Sequence, residues 1–198
     1  MRPSPVLLLP AAAGGLAVLL AARPAATEPD PAATERSLAA FSDIARVLRH
    51  PRCLNCHPMG DRPHVDDEAR LHGMNVQRGP DGHGAPGLHC STCHRDANQD
   101  LVGVPGAPHW HLAPRPMGWE GLDDHDLAAT LIDRAKNGDR SLGDLREHMA
   151  HDPLVLWGWN PGAGRSAVPT PHDQFIAALD AWIEDGAPLP APGVTSSY

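Results

Sequence analysis

The sequence predicts an all-α protein with extensive loops, and three observations lead to this class. Apolar residues recur at helical spacing in four segments of the chain. Capping residues stand at the ends of these segments. No segment shows a strong strand pattern, while 22 prolines and 19 glycines supply material for loops.

The first predicted helix runs from Thr34, which we take as its N-cap, to Arg49. Pro51 ends it, because the residue before a proline disfavours the helical conformation. A short helix is expected to follow at once, near Cys53. The apolar face of the first helix consists of Leu38, Phe41, Ala45 and Leu48.

Two further helices are predicted in the second half of the chain. One begins at Asp123 or Asp124 and ends near Lys136, where Asn137-Gly138 is a stop signal. The next spans about 141–151, because Ser141 and Asp144 have the spacing of a capping box.

The last predicted helix has the clearest sequence signals. Thr170 is expected to be its N-cap, Pro171 its first residue and Gly186 its C-cap. Asp173 would complete a capping box. The apolar stripe of this helix consists of Phe175, Leu179, Trp182 and Ile183.

One motif, Cys-x-x-Cys-His, occurs twice and uses all four cysteines: Cys53-Leu54-Asn55-Cys56-His57 and Cys90-Ser91-Thr92-Cys93-His94. This is the attachment signature of c-type haem. Two intervening residues place the sulfurs at the separation of two vinyl groups on one porphyrin edge. His57 and His94 then become the proximal iron ligands. The sequence therefore predicts two covalent haems, held by Cys53, Cys56, Cys90 and Cys93.

Three other interpretations of the cysteines remain open at this point. A thioredoxin-like pair would need a βαβ pattern, which neither copy has. A zinc ribbon would use both Cys-x-x-Cys pairs, but the segment from Cys56 to Cys90 is longer than usual and zinc requires no histidine after each pair. Structural disulfides would suit an exported protein.

The N-terminus resembles an export signal over residues 1–22. Arg2 supplies the positive charge, residues 6–20 are apolar, and small residues follow at Ala21 and Ala22. Residues 23–34 would then be a Pro- and Ala-rich tether, 35–190 the domain, and 191–198 a flexible tail. This predicts a periplasmic protein, with membrane attachment only if the signal stays uncleaved.

Composition and charge narrow the class of partner. The chain has few large aromatic residues for a hydrophobic core: two Phe, one Tyr and five Trp. Two porphyrins would add the apolar surface that such a core lacks. The formal net charge of −8 argues against nucleic acid and anionic membranes and favours a basic redox partner. Trp110, Trp119, Trp157 and Trp159 are predicted to pack against haem, and Arg78, Arg115 and Arg165 to face propionates.

Several runs resemble a known family: Asn55-Cys56-His57-Pro58, His72-Gly-Met-Asn-Val-Gln-Arg-Gly79, Pro105-Gly-Ala-Pro-His-Trp-His-Leu-Ala-Pro114 and Leu156-Trp-Gly-Trp-Asn-Pro-Gly162. They are similar to the small bacterial di-haem c-type cytochromes called isoquinoline 1-oxidoreductase subunits. The resemblance covers most of the chain after residue 55. It implies an electron-transfer subunit serving a molybdenum hydroxylase that oxidises N-heterocycles or aldehydes. The terminal helices likewise resemble those of cytochromes c.

Each iron also needs a sixth ligand or an open position. For the first haem we expect His72, and for the second Met117, which lies in a Pro-rich loop before a capped helix. Met74, His111 and His148 are the alternatives.

The function predicted from the sequence is single-electron transfer by a non-catalytic cytochrome or oxidoreductase subunit. The alternatives are a di-haem peroxidase, a thiosulfate-oxidising cytochrome or a haem-based gas sensor. The 37 positions from Cys53 to Cys90 are too few to enclose a haem independently. We therefore expect the two haems to share one core, with unequal potentials set by His and Met ligation.

Overall fold

The computed structural model describes residues 30–197, and over this range it is predominantly helical with extensive loops, as predicted. Two small antiparallel hairpins accompany six α-helices. The helices are α1 Pro31–Leu48, α2 Pro51–Leu54, α3 Asp124–Ile132, α4 Leu142–His151, α5 Pro153–Leu156 and α6 His172–Glu184.

The terminal helices α1 and α6 pack against each other and form the centre of the core. Phe41 and Trp182 are fully buried, with ring centroids 4.9 Å apart. The hydroxyl of Ser37 donates a hydrogen bond to the carbonyl of Trp182 at 3.3 Å. This bond satisfies a buried polar group between the helices, so the apolar packing is not weakened.

Helix α1 begins earlier than the sequence predicts. Asp30 is the N-cap, its carboxylate accepts from the N–H of Ala32, and Pro31 takes the first helical position. The expected cap, Thr34, lies inside the first turn, so its assignment as N-cap is wrong. Residues 31–34 of the expected tether are therefore helical.

The two middle helices begin as predicted, but α3 ends early. Asp123 caps α3 and Ser141 caps α4 in a capping box with Asp144. Helix α3 ends at Ile132 rather than Lys136. The Asn137 side-chain amide donates to the Leu131 carbonyl at 2.7 Å, and this bond stabilises the turn that replaces the last helical residues.

Helix α6 starts one residue later than expected. Pro171 is its N-cap, without a side-chain hydrogen bond, so the assignment of Thr170 as the cap is wrong. The Thr170 carbonyl instead accepts from the indole N–H of Trp159 at 2.7 Å. Gly186 follows the C-cap Asp185 with φ +83°, a conformation that glycine adopts without steric cost.

Both hairpins lie in the segment between the two motifs. Strand β1 His64–Val65 pairs with β2 Arg70–Leu71, and β3 Gly84–Ala85 pairs with β4 Leu88–His89. Strands of two residues are too short to show alternating hydrophobicity, which explains why the sequence gives no sign of them.

The expected export signal at 1–22 and residues 23–29 of the tether lie outside the described residues, as does Tyr198. Within residues 30–197, no helix has both the length and the apolar character needed to cross a bilayer.

Candidate functional site

The first motif is placed by α2, which continues the chain immediately after α1. The turn brings the His57 ring under Trp119, with centroids 3.4 Å apart and planes 13° from parallel. The Nδ1 atom of His57 donates to the carbonyl of Met117 at 2.7 Å. Two contacts on different sides therefore fix the orientation of this imidazole.

The second motif is arranged in the same way but on a 3₁₀ turn, Cys90–Thr92. The Nδ1 atom of His94 donates to the carbonyl of Pro105 at 2.7 Å. Trp110 stacks on the His94 ring at 4.7 Å, with an angle of 8° between the planes. A stacked indole and a backbone acceptor thus recur at both motifs.

These hydrogen bonds determine the tautomer of each histidine. A carbonyl can only accept, so the ring proton lies on Nδ1 and Nε2 keeps its lone pair. A metal-binding histidine is held by the same kind of second contact. Burial lowers the pKa of His57 to about 3 and also lowers that of His94, so both rings are neutral at ordinary pH.

The thiols lie in surroundings that favour their neutral form. Burial raises the pKa of Cys53 to about 12 and that of Cys56 to about 11, and it also raises the pKa of Cys90. All four cysteines are free. Reactive redox cysteines have depressed pKa values, so the first pair in particular lacks the environment of a disulfide oxidoreductase.

A cavity adjoins each motif. The first, of about 120 Å³, is lined by Cys53, Cys56 and His57, and the second, of about 540 Å³, by Cys90, Cys93 and His94. Four residues line both cavities: Arg52, Cys56, His111 and Trp157. The two motifs therefore lie on either side of a common wall.

Arg52 is the charged residue of this wall. Its side chain is 1% exposed and forms an ion pair with Asp67, which also accepts from the backbone N–H of Ser166. The guanidinium lies 5.8 Å from the centroid of the Trp157 ring. Its Nε atom is buried without a hydrogen-bond partner among the described residues, so a donor remains available beside both cavities.

The sites combine features that suit a porphyrin. Free thiols stand beside an imidazole with an available Nε2, apolar and aromatic side chains surround them, and buried donors lack acceptors. The indole Nε1 of Trp119 is a second such donor at the first cavity. The second cavity has the size of a ligand pocket, about 300–1,000 Å³. The first is narrower, so its lining side chains must move apart to admit a haem.

The two preferred sixth-ligand candidates, His72 and Met117, each lie at the cavity for which the other was expected. His72 lines the second cavity, with its ring centroid 6.1 Å from that of His94. Met117 lines the first cavity, and its carbonyl binds the Nδ1 of His57. His72 therefore lies beside the second motif and Met117 beside the first, whereas the sequence led us to expect His72 at the first and Met117 at the second; which of them binds iron stays a prediction.

The alternative ligands also divide between the cavities. Met74 lines the second but is 70% exposed, His148 lines the first, and His111 lines both. The Nδ1 atom of His148 lies 3.2 Å from a carboxylate oxygen of Asp152. Hydrogen bonding with His148 lowers the pKa of Asp152 to about 2.

Arg78 has a structural position that the sequence did not reveal. Its buried guanidinium donates to the carbonyls of Ala113, Pro58 and Gly60, so it holds the loop after the first motif against the segment that precedes Met117. Arg165 lines the second cavity, whereas the exposed Arg115 forms an ion pair with Asp61. Sequence analysis also missed Arg52, although its position directly before Cys53 was a usable signal.

Comparisons of this chain with protein-family models, curated proteins and solved structures give no match. The resemblance to di-haem cytochromes therefore stays a prediction based on the runs and motifs of this sequence.

Proposed function

We propose that this protein is a di-haem c-type cytochrome that transfers single electrons. The observation that carries the proposal is the repeated arrangement of the two motifs. Each has paired cysteines and a histidine at a cavity, a carbonyl bound to Nδ1 and an indole stacked on the ring. This arrangement gives each haem two thioether attachment points and one oriented axial imidazole.

When bound, each haem iron would supply the one-electron couple, and the chain would determine how it is held. His57 and His94 present neutral Nε2 atoms, while Trp119 and Trp110 keep their rings from turning. Arg52, with its unpartnered Nε and nearly complete burial, is suited to a propionate at either cavity. These residues would orient both cofactors through the backbone and ring contacts already described.

The common wall supports an electron relay within one core. Because Arg52, Cys56, His111 and Trp157 line both cavities, haems in these positions would be neighbours. The ring of Trp110 contacts Trp157 edge to face, with centroids 4.9 Å apart, so aromatic contacts run from His94 to the wall. This packing favours one shared di-haem domain over two tandem cytochromes.

The location and the partner follow from the same proposal. Covalent haem and the expected signal at 1–22 suit the periplasm. The negative net charge suits a basic redox partner, and the family resemblance suggests the electron-accepting subunit of a molybdenum hydroxylase.

Production in a bacterium with a haem-attachment system tests the proposal. Mass spectrometry of the purified chain should show two covalent haems, and the reduced protein should show an unchanged optical spectrum after carbon monoxide is added. Fewer than two haems would contradict the di-haem proposal. A prompt high-spin change with carbon monoxide would instead favour the enzyme or gas-sensor alternatives.

A further inference from the structure

Four histidines at the two cavities share one feature of their hydrogen bonding. The Nδ1 atoms of His57 and His94 bind the carbonyls of Met117 and Pro105. The Nδ1 of His72 lies 3.0 Å from the carbonyl of Gly73, and that of His148 lies 3.2 Å from Asp152. None of the four Nε2 atoms has a hydrogen-bond partner within residues 30–197. The four are His57, His72, His94 and His148.

The distance between His72 and His94 is that of two ligands of one metal atom. A metal–imidazole bond of about 2 Å on each side places the two ring centres about 6 Å apart. Their centroids are 6.1 Å apart, and their planes make an angle of 69°. Both rings line the same cavity.

His148 is the corresponding candidate at the first cavity, because it lines that cavity with His57 and its Nδ1 is also occupied. His148 belongs to helix α4, whereas His57 follows α2, so the two histidines approach the cavity from different parts of the chain. Asp152 is one helical turn further along and fixes the ring through Nδ1, which is the usual orientation of a metal-bound histidine.

Met117 is placed less well for the same role. The backbone carbonyl of Met117 accepts a hydrogen bond from Nδ1 of His57. The backbone of Met117 therefore lies beside Nδ1, on the opposite edge of the ring from Nε2.

His111 lines both cavities and has the same kind of Nδ1 contact, with the carbonyl of His109. Its ring lies against His83 at 4.8 Å, however, whereas the ring of His72 lies near that of His94.

We propose that each haem of this cytochrome is held by a pair of histidines, His94 with His72 at the second site and His57 with His148 at the first. This assignment rests on the proposed di-haem function. It replaces the combination of His and Met ligation expected from the sequence. Any difference in potential between the two haems would then come from burial and charge rather than from ligand type.

Magnetic resonance of the oxidised holoprotein tests the assignment. The wild type should give two low-spin signals and no near-infrared sulfur-to-iron band. His72→Ala and His148→Ala should each convert one haem of the two to high spin, and added imidazole should restore it. His72→Met should stay low spin and gain the near-infrared band, which tests the position even if His72→Ala accumulates poorly.

His83→Ala and His151→Ala are matched controls, because both histidines are exposed and lie in the same segments as His72 and His148. Both controls should keep two low-spin signals. A variant of His72 or His148 that carries two haems and also keeps both low-spin signals overturns the assignment of its own pair. A chain that carries fewer than two haems by mass contradicts the proposed function itself.

Discussion

The two Cys-x-x-Cys-His motifs are alike in sequence but lie in different surroundings. Residues of α1, α2, α4, α5 and α6 line the first cavity. The second is lined, apart from Arg52, by loops, short strands and 3₁₀ turns of the described chain. The cavities measure about 120 and 540 Å³. The motif therefore determines which side chains the site offers, whereas the neighbouring elements determine how fully the polypeptide encloses it without the proposed haem.

If the proposed haems are present, this difference predicts which region would depend on its haem for a stable structure. The first motif adjoins a core that contains Phe41, Leu127 and Trp182, each at most 1% exposed. Near the second motif, Leu101 is 103% exposed and Val102 is 69% exposed. A region with little buried apolar surface has low local stability, so the second site has more to gain from a large apolar cofactor.

The largest expected effect comes from removing the second attachment site. In Cys90→Ala/Cys93→Ala we expect amide hydrogen exchange across residues 60–112 to accelerate by orders of magnitude, because the local core is lost. Helices α1 and α6 should stay protected, because their own packing remains. Exchange measured by mass spectrometry would report both regions in one experiment.

Cys53→Ala/Cys56→Ala is the matched variant. In this variant, amide hydrogen exchange should accelerate around the first cavity, in α2, α4 and α5, and should not slow anywhere. Equal loss of protection in α1 and α6 after either double substitution would show that the two regions unfold as one unit, which would contradict the comparison.

The next effect concerns the helical region alone. Trp182→Ala should lower the free energy of unfolding by about 3–5 kcal/mol, since it leaves a cavity against Phe41. Leu101→Ala, at a fully exposed position, should change it by less than about 0.5 kcal/mol. Urea unfolding followed by circular dichroism measures both. Similar losses for the two variants would mean that Leu101 is buried in the protein in solution.

The helices with strong local signals were predictable from the sequence. The capping box of Ser141 and Asp144 and the start of α3 after Asp123 depend on residues within one turn. The errors arose where a competing contact decides. The side chain of Asp30 caps α1 four residues upstream of Thr34. The carbonyl of Thr170 accepts a hydrogen bond from Trp159, which lies outside α6 and its apolar stripe.

The sequence predicts only those parts of the candidate site whose residues are adjacent in the chain. Both motifs could be identified from adjacent residues, but the sixth-ligand candidates depend on tertiary packing. His72 precedes the second motif and follows the first, so chain distance alone could not place it beside His94. The contacts of Arg52 with Asp67 and of Arg78 with three carbonyls likewise connect segments that no local pattern links.

The most localised expected effect distinguishes the paired strands of the hairpin at the second site from its open turn. Gly84 has φ +102°, and an added Cβ would lie 2.6 Å from the Leu88 carbonyl oxygen. Gly87 has φ +87° but nothing within 4 Å of its added Cβ. Gly87→Ala should therefore cost about 1–2 kcal/mol for the backbone conformation alone. Gly84→Ala should cost about 1–3 kcal/mol more, because the overlap forces strand β3 away from β4.

Strand β4 leads directly into Cys90, so the displacement in Gly84→Ala should reach the second site. Amide exchange of the hairpin measures the cost, and the low-spin signal assigned to the His94 site should broaden or shift. The signal of the first site should not change, because that site is built on the helices. If Gly84→Ala perturbs both signals equally, the common wall formed by Arg52, Cys56, His111 and Trp157 transmits the strain, and the two sites are less independent than their different surroundings indicate.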